Sequence, residues 1–296
     1  MARRRLPDEP YSKLAIWSRR LALFSVAAVV IAIVAVRAGL VEVLPGIATL
    51  GGALSFAVLA ILLALMSFVT IWRQGLRGLG YSVIAIVVGA LLLAYPAYLG
   101  YQAYNLPPIY DITTDVLDPP GYDAVRRLRS RNTNPAQYAG LYAAEQQREA
   151  YPQITPLELS VPGKTAYDHA LALVNKRRWL ILDAREPLPK RRDGRIEAVA
   201  RTPIMGFRDD IVIRIRGTEE DARVDMRSSS RYGFHDLGSN ASRIRAFLDA
   251  LEREIEATLE REERRRPLEK KAPPPKSKSQ PKSAPKSPQG SPQAKR

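Results

Sequence analysis

The chain has 296 residues, with 45 Lys and Arg against 30 Asp and Glu, a formal net charge of +15. It contains no cysteine, which excludes disulfides, thiolate zinc sites and cysteine nucleophiles, and its two histidines, His169 and His235, are too few to build a zinc centre by themselves. Apolar residues crowd the first third and almost vanish from the last thirty positions, so the averages describe no single part of the chain.

Three segments are apolar for long enough to cross a bilayer, which takes roughly 20 residues of helix. Leu21–Val36 is unbroken, and Ile47–Trp72 and Leu79–Tyr104 carry no charge. The first is short, but Trp17 and the snorkelling pair Arg19 and Arg20 extend it into the headgroup layer. A cleaved leader is the rival reading of this segment; Arg37 stands where a cleavage site needs small residues, and two further spans follow. Spans of about 17–37, 47–72 and 79–101 are predicted. Arg3, Arg4, Arg5, Lys13, Arg19, Arg20, Arg73 and Arg77 flank one side of them, against Arg37 on the other, so the positive-inside rule places the N-terminus in the cytoplasm and residues beyond about 104 outside. No ionisable residue lies at mid-depth, which argues against an ion or proton path. Gly51 and Ser55, like Ala48 and Gly52, stand four apart, a spacing that lets helices approach closely within one chain or between copies.

The lead-in "NLPPIYDITTDVLDPPGY" has two Pro-Pro pairs that force extended backbone. Asp111, Asp115 and Asp118 are oxygen donors of the kind calcium takes, but no glycine sits where an EF-hand loop turns, so asx-turns and a strand-like path are predicted. "LELS" reads as a short strand and Thr165–Arg178 as a helix capped by Thr165, with Tyr167, Leu171 and Val174 on one face. Four strands are predicted next: Trp179–Glu186, Arg195–Thr202, Asp210–Gly217 and Ala222–Ser230. Ile196, Ala198 and Ala200, then Ile211, Ile213 and Ile215, then Val224 and Met226, alternate with charged neighbours, the period of antiparallel strands with one buried face. "KRRDG" and "TEED" have hairpin length. A last helix starts near Asn240 with Ile244, Phe247, Leu248, Leu251 and Ile255 as its apolar stripe, lost beyond Ala257.

The expected fold class is α+β: three N-terminal transmembrane helices, then a two-layer domain with an antiparallel sheet and two packed helices. The expected parts are a membrane anchor (1–104), a soluble α+β domain (105–258) and a basic, Pro/Lys/Ser-rich disordered tail (259–296). A basic tail invites a nucleic-acid reading, but the inferred topology puts it outside, where lipid headgroups or acidic envelope polymers are the available anions.

"RSSSRYGFHDLGSNASRIRAFL" (227–248) places serines, His235 and Asp236 together, as a hydrolase would. Neighbouring His235 and Asp236 diverge, however, and no glycine-flanked turn exposes Ser228, Ser229 or Ser230, so no catalytic residue is assigned. "RTPIMGFRDDIVIRIR", followed by "VDMRSSSRYGFHDLGSNASRIRAFL" and preceded by "PPIYDITTDVLDPP" and "YPQITPLEL", resembles the bacterial family known as domain of unknown function 1499, from about Pro107 to Leu251. The resemblance rests on Asp209, Asp210, Arg227, Ser228, Ser230, Arg231, Gly233, Asp236, Gly238, Asn240 and Arg243. It implies a membrane-anchored envelope protein and supplies no activity.

Arg227 and Arg231 end one predicted strand while Asp209 and Asp210 open its neighbour, so the hairpin brings the two pairs together. Two readings of this patch stand. In one, Asp209, Asp210, Asp236 and Arg243 form a structural network that locks sheet to helix. In the other, Arg227, Ser228, Ser230, Arg231 and Asn240 bind an anion at the helix start. The expected function is a non-enzymatic protein of the bacterial inner membrane whose outer module binds an anionic ligand or a protein partner; the alternative is an envelope hydrolase of esters or phosphoesters. Membrane lipids are expected partners, and no cofactor, metal or nucleic acid is implied.

Overall fold

A computed structural model describes residues 9–188 and 193–269 of the chain. Arg3, Arg4 and Arg5, most of the "KRRDG" turn, and the tail from residue 270 lie outside the described residues.

Helices α1 (Lys13–Arg37), α2 (Val43–Gln74) and α3 (Leu79–Asn105) are each long and apolar enough to cross a membrane. They pack through small residues: Ala22, Ala60, Ala64 and Ala85 form a closed cluster, and the Ser67 and Ser82 hydroxyls meet beside it. Leucine, isoleucine and phenylalanine point outward, the pattern expected where lipid rather than water surrounds the bundle. Within the chain, the small-residue pairs do not mediate this packing. Ala48, Gly51, Gly52 and Ser55 lie on the exposed side of α2, while Gly46, Ala53, Ala57 and Ala60 face the neighbouring helices. At one end of the bundle, Arg77 N–H donates to Pro10 O and Ser12 N–H to Arg77 O, tying the N-terminal segment to the α2–α3 loop.

Ten elements follow: β1 (Asp111–Thr113), α4 (Ala124–Leu128), α5 (Leu141–Ala150), β2 (Leu157–Leu159), α6 (Gly163–Lys176), β3 (Leu180–Arg185), β4 (Asp193–Arg201), β5 (Arg208–Gly217), β6 (Ala222–Ser230) and α7 (Ser239–Glu269). All pairings are antiparallel, in the order β1-β6-β5-β4-β3, with β2 beside the start of β6. The sheet and its helices make the α+β fold that the alternation foretells. Helix α6 begins two residues before Thr165, with Pro162 at its cap position, so Thr165 does not cap it.

The inward isoleucines of β4 and β5, with Val224 and Met226, pack against Ala166, Ala170, Leu173 and Val174 of α6 and Ile244, Phe247, Leu251 and Ile255 of α7. The chain divides into two compact units after Ile255. The opposite face of the sheet is also covered, which a period of two cannot foretell. Tyr122 and Val125 close over Val212, and Glu197, Asp210, Asp225 and Arg227 are buried beneath this roof. Helices α4 and α5 have no strong periodicity and were not expected. Gln147 of α5 satisfies the free edge of β1, accepting from Thr113 N–H (3.0 Å) and donating to Thr113 O (2.6 Å).

Candidate functional site

Strand β6 carries the polar network into the interior. Arg227, 1% exposed, donates from Nε and Nη2 to the two carboxylate oxygens of Asp111 at 2.8 and 2.6 Å. Nη1 donates to Pro120 O and Nη2 also to Ala136 O, and the guanidinium lies 4.6 Å from the centroid of the Tyr122 ring. Burial by itself lowers the guanidinium pKa, but the hydrogen bond and charge of Asp111 outweigh it and raise the value. Burial raises the Asp111 carboxyl against the pull of Arg227. Burial likewise pushes the Tyr138 hydroxyl, on the second flank of Arg227, up to about 12. Buried and held by Asp111, Pro120 O and Ala136 O, Arg227 is turned inward, away from an outside ligand.

One layer on, Asp210 is shared by two arginines. Arg231 donates to it from Nε (3.0 Å) and Nη2 (2.7 Å), and Arg129 from Nε (2.7 Å). Arg129 also donates to Asn134 O, Pro135 O and Ser229 Oγ, so it stitches the roof to the sheet. Sequence reading missed Arg129, and took Asp111 for one carboxylate of a turn-rich lead-in rather than the partner of Arg227, because each stands about a hundred residues from the residue it pairs with.

The serines are similarly engaged. Ser228 Oγ donates to Asn240 Oδ1 (2.7 Å) and accepts from Arg243 Nη1 (2.9 Å), while Asn240 Nδ2 donates to Tyr110 O and Ser230 Oγ, both at 3.0 Å. Arg243 Nη2 meets Asp209 at 2.5 Å. Burial raises the Asp209 carboxyl, with Arg243 and Ser230 opposing. Asp236 accepts from Gly238 N–H and Asn240 N–H at the start of α7, and burial raises its carboxyl too. His235 Nδ1 accepts from Leu237 N–H (3.0 Å), which makes Nε2 the donor to Leu106 O (3.1 Å). Both imidazole nitrogens therefore bind main chain, and no serine reaches them. Asp209, Asp236 and Arg243 gather with Ser228, Ser230 and Asn240 at the start of α7, whereas Asp210, the next residue along β5, turns to the opposite face of the sheet and pairs with Arg231 and Arg129. Of the five candidate anion ligands, Arg231 also borders an open cleft.

A second cluster occupies the roofed face. Asp225 is surrounded by Arg214, Arg216 and Arg223, which also reach Asp115 and Asp118. Asp115 Oδ1 makes the expected asx-turn with Leu117 N–H and Asp118 N–H. Burial by itself would raise the Asp115 carboxyl; those amides and the charges of Arg223 and Arg214 outweigh it and lower the pKa.

The open basic surface lies elsewhere, where the domain meets the ends of α1 and α2. A cleft of 410 Å³ is bordered by Val36, Val43 and Leu44 on the helix side and by Arg37, Arg201 and Arg208 with Arg231 behind. Arg37 is fixed by donating to Pro203 O (2.5 Å) and Ile204 O (3.0 Å). Arg201 and Arg208 are direct cross-strand partners, are exposed, and have no ion-pair partner among the described residues. Like charges placed opposite each other on a sheet are destabilising. Glu42 is the one acidic residue on the rim.

A search of the curated proteins found no match. Residues 111–251 match the family model described as protein of unknown function, DUF1499, a stretch that runs from Asp111 through the whole sheet to Leu251. The part of the chain that carries the buried arginine–aspartate network thus belongs to the DUF1499 family.

Proposed function

We propose that the chain is a three-span protein of the bacterial inner membrane that holds its α+β domain on the extracytoplasmic side, and that the domain binds an anionic ligand rather than catalysing a reaction. The observation that carries the binding role is the cleft, where Arg37, Arg201 and Arg208 gather without a carboxylate partner beside a single Glu42. The topology rests on the distribution of charge. Lys13, Arg19, Arg20, Arg73 and Arg77 flank one end of the helices, and Arg37 at the other end is turned onto carbonyl groups of the domain.

Two measurements test this reading. The chain lacks cysteine, so single replacements report cleanly. In right-side-out spheroplasts, Leu117→Cys, at an 85% exposed position, is expected to react with an impermeant maleimide, and Arg73→Cys only after lysis. The reverse pattern overturns the topology. For binding, inorganic phosphate is expected to raise the thermal midpoint of the full chain in mild detergent saturably, and the Arg201→Gln, Arg208→Gln double variant is expected to lose that response. A flat response in the unaltered chain overturns the anion-binding role.

A further inference from the structure

The two walls of the cleft differ in kind. On one side Val36, Val43 and Leu44 continue the apolar outer surface of α1 and α2, which lipid chains cover in a spanning helix pair. On the other, the ends of β4 and β5 present Arg201 and Arg208, with Ser130 and Asn132 adding neutral polar groups. A free inorganic anion uses only the second wall. A molecule that uses both must carry an anionic head and an apolar body, and it must sit where apolar helix surface gives way to loop, the depth of the lipid headgroups.

From this we infer that the cleft is a binding site for an anionic phospholipid, its phosphate held between Arg201 and Arg208 and its acyl chains laid along Val36, Val43 and Leu44; this rests on the anion-binding role proposed above. The paired guanidiniums suit a phosphate diester, because each offers a planar fork of N–H donors to two oxygens. An anion between them also removes the repulsion of two like charges set opposite each other in the β4–β5 register. Arg37 adds a third positive charge, and its anchoring to Pro203 O and Ile204 O keeps it at the mouth rather than free in solvent. Basic pockets beside membrane helices bind lipid headgroups through the same chemistry. The site involves no bond making or breaking. It is a docking point that holds the domain against the bilayer surface.

The test uses the full chain released from nanodiscs containing equal amounts of phosphatidylglycerol and phosphatidylcholine, with native mass spectrometry of the lipids retained. The expected result is one phosphatidylglycerol kept under conditions that strip phosphatidylcholine, with occupancy reduced at least tenfold in Arg201→Gln, Arg208→Gln and unchanged in Arg73→Gln, which removes a charge from the other end of the bundle. Arg201 and Arg208 are exposed, so the double variant keeps its fold, which an unchanged urea midpoint verifies. Equal retention of the two lipids, or equal retention by the double variant, overturns the inference. If phosphate stabilises the protein in that case, anion binding survives and the lipid does not. If phosphate also fails, both are lost.

Discussion

Arg227 grips Asp111 with two parallel hydrogen bonds across the β1–β6 pairing, although 116 positions separate them in the chain. A buried pair of this kind is held in place less by the attraction itself than by the penalty for breaking it, because either partner alone would be an uncompensated charge in a dry site.

Arg227→Ala is therefore expected to cost about 3–5 kcal/mol, a large share of the ~5–15 kcal/mol that stabilises an ordinary domain. Asp111→Ala should cost a similar amount. Replacing both, with Arg227→Met and Asp111→Leu, should recover most of the loss, since no charge is then stranded. Urea unfolding of the full chain in detergent gives all three values. A single Arg227→Ala variant as stable as the parent would show that the site admits water.

Arg231→Ala should be milder. Asp210 keeps Arg129, so the carboxylate stays paired, and the expected cost is roughly 1.5–3 kcal/mol for the lost charged hydrogen bonds. Removing Arg129 as well should cost more than the two single changes together, because only then is Asp210 abandoned. A double-mutant cycle on the unfolding free energy measures the excess, and strict additivity would refute the shared-carboxylate account.

These contrasts mark what sequence could reveal. Ile211, Ile213 and Ile215 announce a strand and its core face through simple alternation, and the stripe from Ile244 to Ile255 announces α7 in the same way. The three apolar spans needed only length and composition. Alternation says that two faces differ, however, and not that the polar one is exposed. Glu197 and Asp225 read as solvent-facing charges, yet both are fully buried, because the segment that roofs them (114–138) has no periodicity of its own. Arg129 was invisible for the same reason: its importance comes from meeting Asp210, 81 positions away, which no local pattern encodes. The serine–arginine cluster was recognised as a group, but its inward orientation was not, since the partners that satisfy Arg227 lie outside that stretch.

Gly238 and Gly233 offer a comparison of two left-handed glycines, with φ of 78° and 79°. Alanine at either position should cost about 1–2 kcal/mol through the backbone alone. A Cβ at Gly233 would meet only His235 O, at an ordinary contact distance of 3.9 Å, whereas one at Gly238 would come within 2.8 Å of Leu106 Cδ1 and must push it from its seat. Gly238→Ala is expected to be the more destabilising of the two, and to raise amide exchange at Leu237 and Gly238. Equal costs would mean that Leu106 yields freely.

The carboxylates Asp115 and Asp209 should give opposite dependences on pH. Asp115 has a lowered pKa in the folded domain, so its contribution is complete above the ordinary carboxylate value of 3.8 and is lost as the pH falls through the lower folded value. Asp209 has a raised pKa, so the folded state takes up its proton first, and its effect on stability becomes more favourable as the pH falls toward 3.8. The stability gap between the parent and Asp115→Asn should therefore shrink between pH 7 and pH 3. The difference between the parent and Asp209→Asn should move in the parent's favour over the same range. Urea midpoints at a series of pH values read both slopes, and parallel slopes would contradict the assignment.

The order of the strands also sets a timetable. β1 is the first strand to leave the ribosome and β6 the last, yet the two are hydrogen-bonded neighbours. At ordinary synthesis rates of about 5–20 residues per second, Asp111 waits on the order of ten seconds before Arg227 exists. During that interval the carboxylate must remain hydrated and the nascent β3–β4–β5 sheet has an open edge, so this stage of biogenesis is when the domain is most open to a chaperone or a protease.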